Sequence, residues 1–133
     1  MSGEDIETLR GLYEAFGRRD YDRVLDSVHP DVVLRPGIEG LDTSRRYHGH
    51  VGLRQFWKEI GEAWETQTVE PVEMVEAEGD RVLAVERWHV RGRDGIELEF
   101  GVTDVYTFRD GLVVRIDGFV DKTKALEAVG LSE

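Results

Sequence analysis

The chain has 133 residues, of which 40% are hydrophobic and 34% charged, and it carries a formal net charge of −11 with no cysteine. This composition is typical of a soluble globular protein, and we expect residues 1–133 to form one domain. The negative charge disfavours nucleic acid and anionic membranes as partners. The lack of cysteine excludes thiol catalysis, thiolate metal sites and disulfides. Without an apolar leader or an apolar run of about 20 residues, the sequence favours a cytoplasmic protein.

The first third of the chain predicts two helices and a strand. Apolar residues recur at helical spacing in the opening segment, which predicts a helix over residues 4–17. Asp20 is typical of the N-cap of a second, short helix, and Pro30 would end that helix because proline cannot continue the hydrogen-bond ladder. A short strand is predicted over residues 32–35.

The remaining chain predicts a loop, a third helix, four strands and a closing helix. The irregular, glycine-containing loop over residues 37–50 is the expected rim or lid of any pocket. Asp-Gly pairs between the strand-like runs are strong hairpin signals. The helix is predicted at residues 51–66, the strands at 69–77, 82–91, 96–108 and 112–120, and the closing helix at 121–129.

The turn at Asp94-Gly95 decides which side chains of the central hairpin face inward. A two-residue turn there would place Arg87, His89 and Asp104 on one face, and directly paired residues share a face. That face is the more apolar one and is the predicted interior. Trp88 would then lie on the outer face as a dimer contact. A longer turn would shift the register and exchange one set of partners.

Asp104 is the central candidate for chemistry, and two alternatives stay open for it. Away from Arg87, apolar walls would raise the pKa of Asp104, so that it could act as a general acid/base or a hydrogen-bond donor. Beside Arg87 the pKa would fall, and the two residues would form a structural ion pair. Arg87 could instead bind an anionic substrate group, and His89 could act as a base or be a satisfied histidine at the sheet edge.

The expected ligand site has mostly apolar walls and no metal or other cofactor. His48 and His50 flank Gly49, but no acid or cysteine stands at a supporting spacing for a metal site. The ligand is therefore expected to be a small, largely apolar organic molecule. Its predicted contacts are Leu12, Phe16, Phe56, Trp57, Phe100, Val102, Tyr106 and Ile116.

Four segments carry a resemblance to a known superfamily. They are residues 12–16 with Asp20, residues 29–31, residues 47–57 and residues 105–111. They resemble the nuclear transport factor 2-like superfamily and, within it, the SnoaL-like relatives of polyketide cyclases. The resemblance covers nearly the whole chain. It implies an α+β fold, a cone-shaped (cystatin-like) curved antiparallel sheet closed by N-terminal helices around an internal pocket, and a homodimer through the outer sheet face.

The resemblance also bears on mechanism. In the ketosteroid isomerase branch the oxyanion-binding aspartate falls on Asp104, but the oxyanion tyrosine falls on Leu12 and the general base falls near Pro36. Steroid isomerisation is therefore not expected. The first hypothesis is a cofactor-independent isomerase, cyclase or dehydratase acting on a carbonyl-bearing apolar substrate. The alternatives are a non-catalytic small-ligand binder and a dimeric interaction domain of the same fold.

Overall fold

The computed structural model describes residues 2–37 and 45–131, so half of the predicted loop at 37–50 lies outside the described residues. The described chain contains four helices and six strands. The helices are α1 (Ser2–Gly17), α2 (Tyr21–Leu25), α3 (Gly49–Ala63) and α4 (Lys122–Ala128). The strands are β1 (Val28–Arg35), β2 (Tyr47–His48), β3 (Thr66–Ala77), β4 (Arg81–Arg91), β5 (Glu97–Arg109) and β6 (Leu112–Phe119).

The helices form where the apolar spacing predicts them, with two differences at their ends. The side chain of Asp20 caps α2 by accepting a hydrogen bond from the Arg23 amide at 3.2 Å. Pro30 does not follow a helix but lies inside β1, in a stretch where the pairing with β6 is interrupted. Helix α3 ends at Ala63 instead of residue 66, because the Glu65 amide donates to the Arg91 carbonyl oxygen at 2.8 Å and joins the sheet.

The strands form one curved, unclosed sheet in the order β2-β1-β6-β5-β4-β3. Neighbouring strands are antiparallel except β1 and β6, which run parallel. The N-terminal helices pack on the inner face and enclose the main hydrophobic core. A smaller core lies on the outer face, where α4 covers Leu83 and Val105. The predicted α+β cone is confirmed. Among the described helices, none is long and apolar enough to span a membrane.

The predicted register of the central hairpin is wrong by one residue. The last pair before the turn is Arg91 with Glu97, so five residues form the connection. Within it the Gly95 amide donates to the Gly92 carbonyl oxygen at 2.9 Å, and Gly95 has a φ of +86°. This turn with a left-handed glycine is a longer hairpin loop than the two-residue turn. Because side chains alternate along a strand, the shift exchanges the inner and outer faces of β4 relative to β5.

Two glycines allow β6 to approach the end of β1 closely. A Cβ added at Gly118 would lie 2.4 Å from the Gly37 nitrogen and 3.0 Å from Oδ1 of Asp104. Gly118 is also the cross-strand partner of Asp104. The missing side chain thus leaves room both for the Gly37 backbone and for the Asp104 carboxyl group.

We expect Gly118→Ala to lower the free energy of unfolding by about 1–3 kcal/mol, because the backbone at Gly37 has to move. Gly101→Ala is the matched control in β5, since its Cβ would meet only the Glu86 carbonyl oxygen at an ordinary 3.7 Å. Urea unfolding of both variants checks this. Equal stability of the two variants would contradict the close approach of β1 and β6.

Candidate functional site: a carboxyl pair in an apolar cavity

An internal cavity of about 80 Å³ lies between the inner face of the sheet and helices α1 to α3. Its apolar wall is formed by Leu12, Phe16, Val24, Val28, Leu34, Leu53, Phe56, Trp57, Ile60, Val69, Trp88 and Ile116. Four polar side chains complete the wall, namely Tyr13, Glu86, Asp104 and Tyr106. A mostly apolar cavity with a few convergent polar groups is the usual form of a small-molecule site.

Six of the eight predicted wall residues line this cavity: Leu12, Phe16, Phe56, Trp57, Tyr106 and Ile116. Phe100 and Val102 lie outside the wall. Phe100 is the cross-strand partner of Trp88 and stacks on it, with 5.8 Å between the ring centroids. Val102 is buried in the main core. Trp88, which was predicted to lie on the outer face, is part of the wall because the register shift brings it to the inner face.

Arg87 and His89 do not face the cavity. Both lie on the outer face of β4, where Arg87 Nε is 3.3 Å from Oε1 of Glu99. The His89 ring nitrogens lie 3.5 Å from Glu97 and 3.6 Å from Glu99. The side chain of Arg87 is 57% exposed, and an ion pair at such a surface position contributes little. The predicted inner cluster of Arg87, His89 and Asp104 is therefore wrong, and only Asp104 faces inward.

Glu86 takes the inner position that had been assigned to Arg87. Its side chain is only 3% exposed. Trp88 donates from Nε1 to Oε1 of Glu86 at 2.9 Å, and the Tyr13 hydroxyl donates to Oε2. The Tyr106 hydroxyl lies 2.9 Å from the Tyr13 hydroxyl and extends the network. Buried carboxylates need such donors, because an unpaired buried charge is costly.

The sequence held a signal for Glu86. Alternate residues of β4 read Val82, Ala84, Glu86, Trp88 and Val90, so one acid interrupts an otherwise apolar face. The other alternating set contains Arg87, His89 and Arg91, which suits a solvated face. Leu83 and Val85 make this second set partly apolar as well, so the alternation favours Glu86 inside but does not decide the register.

Asp104 lies beside Glu86 and is the more accessible of the two carboxyl groups. It is paired with Ala84 on β4 and is half-buried at the cavity wall. Burial raises the pKa of Asp104 well above its ordinary value, and the charge of Glu86 and the hydrogen bond with Glu86 raise it further. The Asp104–Arg87 ion pair that would have lowered this pKa does not form.

The two carboxyl groups differ in acidity. Burial also raises the pKa of Glu86, but hydrogen bonds from Asp104, Tyr13 and Trp88 act in the opposite direction. Glu86 is therefore the more acidic of the two groups, and Asp104 holds its proton to higher pH, as expected for two adjacent acids in different environments. Burial likewise raises the pKa values of Tyr13 and Tyr106, whose hydroxyls stay neutral donors.

Three aromatic side chains stand beside the cavity at the half-buried edge of α1 to α3. The Tyr21 ring stacks on Trp57 with 4.7 Å between centroids, and Phe16 contacts both rings. Arg19 lies over Phe16 and donates to the Gln67 carbonyl oxygen at 2.8 Å, which ties this edge to β3. Phe16 and Trp57 are the partly exposed aromatic residues of the wall, so ligand access is easiest to place here.

The histidines of the sequence make local contacts. His50 donates from Nε2 to the Val28 carbonyl oxygen at 2.8 Å, and Nδ1 of His29 accepts from the Asp31 amide at 3.0 Å. Within residues 2–37 and 45–131, no three potential metal ligands come together.

The architecture is that of the cone-shaped α+β proteins related to nuclear transport factor 2. The sequence model of the SnoaL-like domain family matches residues 9–116, and the chain belongs to this family. The predicted SnoaL-like assignment is thereby confirmed. No protein with a curated description matches the chain in sequence.

Several solved structures are similar over nearly their full length. TerC, crystallised with polyporic acid, is 26% identical, with 95% of this chain and 97% of TerC covered and a TM-score of 0.78. An NTF2-like protein of unknown function from Burkholderia pseudomallei is 24% identical, with 96% and 98% covered and a TM-score of 0.78. A Mycobacterium tuberculosis protein in complex with estradiol-17β-hemisuccinate is 15% identical, with 89% and 94% covered and a TM-score of 0.74. The last two show the fold alone.

Proposed function

We propose that this chain is a cofactor-independent acid/base enzyme of the isomerase, cyclase or dehydratase type, acting on a small, largely apolar substrate that carries a carbonyl group. The observation that carries the proposal is the Glu86–Asp104 carboxyl pair inside an apolar cavity. Perturbed acids in a cleft are typical of functional sites. TerC, which is 26% identical, was crystallised with an organic small molecule, and this supports a ligand of that class.

Each polar group has a role in this proposal. Protonated Asp104 donates a hydrogen bond or a proton to the substrate carbonyl oxygen and so stabilises an enol or enolate. Glu86 is the base that takes the proton from the carbon next to the carbonyl, so that the electron pair of the broken C–H bond forms the enol or enolate, and it returns that proton to carbon in the second half of the reaction. Tyr13 and Trp88 hold the Glu86 carboxylate in place. The remaining walls position an apolar ring system, with Trp57 and Phe16 at the accessible edge.

The cavity volume limits the substrate. A cavity of about 150 Å³ holds one benzene ring, and the present cavity of 80 Å³ is smaller. A ring-sized ligand must therefore displace wall side chains, and Trp57 is a candidate because it is only half-buried and stacks on the half-buried Tyr21. The alternative is a non-catalytic binder of the same ligand class, which would use the same apolar walls.

Solvent deuterium exchange separates the two functions. Cyclopentanone and related cyclic ketones are incubated with the protein in D₂O, and incorporation next to the carbonyl is followed by proton NMR. We expect catalysed exchange, and we expect Asp104→Asn to slow it by about 10²–10⁴-fold, the usual contribution of a general acid or base. Asp22→Asn, an exposed change on α2, should leave the rate unchanged.

Ligand binding is measured beside catalysis by quenching of the fluorescence of Trp57 and Trp88, with polyporic acid as a second probe. Binding without catalysed exchange, and with equal affinity in Asp104→Asn, would favour the non-catalytic binder. Absence of both would overturn the small-molecule proposal.

The homodimer through the outer sheet face and the cytoplasmic location stay predictions. Trp88 no longer supports the dimer, because it is buried on the inner face. The support that is left is the resemblance to the family. Sedimentation velocity, which gives the mass of the particle directly, tests the dimer.

A further inference from the structure

Three arginines converge on the outer face of the sheet, opposite the carboxyl pair. Thr107 on β5 is directly paired with Arg81 on β4 and with Arg115 on β6, so these three side chains form a row across the strands. In the adjacent row Asp117 is paired with Arg35 on β1. Neighbouring strands lie about 4.8 Å apart, so the two arginines that flank Thr107 can reach a common point above its hydroxyl.

Within the described residues, these three guanidinium groups have only one carboxylate partner between them. Asp117 is shared, with Oδ2 at 2.7 Å from Arg115 Nε and Oδ1 at 3.4 Å from Arg35 Nε. Arg35 Nε is buried and makes no hydrogen bond to any residue that the structure describes. Arg81 donates from Nε to the Glu78 carbonyl oxygen at 2.7 Å, a neutral group. Within residues 2–37 and 45–131, three cations therefore face one carboxylate, on a chain whose net charge is −11.

The arginines line a cavity instead of spreading into solvent. The cavity has a volume of about 300 Å³ and lies between β1, β4, β5 and β6 and the end of α4. Arg35 Cζ lies over the Phe119 ring, 4.9 Å from its centroid, and this contact holds the guanidinium group at the cavity wall. Val129 and Phe119 supply apolar wall, so the cations are partly shielded from water. An ordered, partly desolvated guanidinium group binds an oxyanion more strongly than a free surface arginine does.

We propose that this outer cavity is a binding site for a small phosphate-type oxyanion, either free phosphate or the phosphoryl group of a small metabolite. Two positive charges that no described carboxylate balances match a dianion, and the planar forks of Arg35 and Arg81 suit bidentate contacts with phosphate oxygens. The Thr107 hydroxyl adds a donor at the centre of the row. The site lies across the sheet from Asp104 and is independent of the proposed acid/base function.

Isothermal titration with inorganic phosphate at constant ionic strength tests the site. We expect one saturable site, and we expect Arg35→Met and Arg81→Gln each to weaken binding at least tenfold. Methionine retains apolar contact with Phe119 while removing the charge. Arg91→Gln is the matched control, because it removes the same charge from the far, exposed end of β4. It should change the affinity less than twofold.

A parallel titration with glycerol 3-phosphate distinguishes the two sources of the phosphoryl group. Tighter binding of the ester supports a phosphorylated metabolite, and tighter binding of inorganic phosphate supports the free anion. Absence of saturable binding of both compounds would overturn the proposal. So would equal weakening by Arg91→Gln, which would show a general charge effect. Circular dichroism verifies folding, and if one cavity variant fails to fold, the other decides.

Discussion

Replacing Glu86 with alanine is expected to lower the free energy of unfolding by about 3–5 kcal/mol, the largest single effect in this chain. Glu86 is the acceptor on which Trp88 Nε1 and the Tyr13 hydroxyl depend. Its removal leaves Trp88 Nε1 without its acceptor, leaves the Tyr13 hydroxyl with Tyr106 alone, and enlarges the cavity. Urea unfolding at pH 7 measures the loss.

Two further variants separate the hydrogen bonds of Glu86 from its charge. Glu86→Gln retains a carbonyl oxygen that accepts one of the two hydrogen bonds, so its loss of stability should be smaller than that of Glu86→Ala. Glu99→Ala is the control for removing an acid from the outer face, where Glu99 is 55% exposed beside Arg87. It should cost less than about 1 kcal/mol. A similar effect of Glu86→Ala and Glu99→Ala would show that Glu86 does not organise the site.

Asp104→Asn is expected to make the stability of the protein less dependent on pH. Because the pKa of Asp104 is raised in the folded state, the folded protein keeps a proton that the unfolded chain has lost. The stability from this proton is fully present below about pH 4, the unfolded value, and is lost as the pH rises through the folded pKa. One such proton gives a slope of at most about 1.4 kcal/mol per pH unit.

The measurement is urea unfolding of the parent protein and of Asp104→Asn at intervals from pH 4 to pH 9. We expect the variant to gain stability relative to the parent as the pH rises, since asparagine cannot ionise. Asp22→Asn controls for the loss of an exposed carboxyl group, and its curve should run parallel to that of the parent. A parallel curve for Asp104→Asn as well would mean that Asp104 is ionised in the folded protein, and it would remove the general-acid role.

The sequence determined most of the secondary structure, because local sequence signals specify helices, caps and turns. The apolar stripe of α1, the Asp20 cap and the glycine turns each act within a few residues, and the helices and long strands formed where these signals lie. The two-residue strand β2 has no such signal of its own. It exists because Val33 and Leu34 of β1 pair with it.

Most residues of the cavity wall that were named from the sequence could be predicted from it. Phe16, Trp57 and Tyr106 stand in periodic apolar runs. The resemblance to the SnoaL-like group predicted that the apolar face of each run points into an internal pocket. Asp104 stood out for the same reason, as one acid in an apolar and aromatic run. Amphipathic periodicity therefore placed these residues correctly without any knowledge of their tertiary contacts.

The chemistry around Asp104 was decided only by the tertiary structure. The loop at Gly92–Gly95 is a few residues long, yet its length determines whether Arg87 or Glu86 faces Asp104, because the side-chain period of a strand is two. A cation there would have lowered the pKa of Asp104, whereas the acid that is present raises it. The sign of the electrostatic effect on Asp104 thus depends on a shift of one residue in the strand register. Local sequence signals specify this register weakly. Packing against the helices and the neighbouring strands determines it.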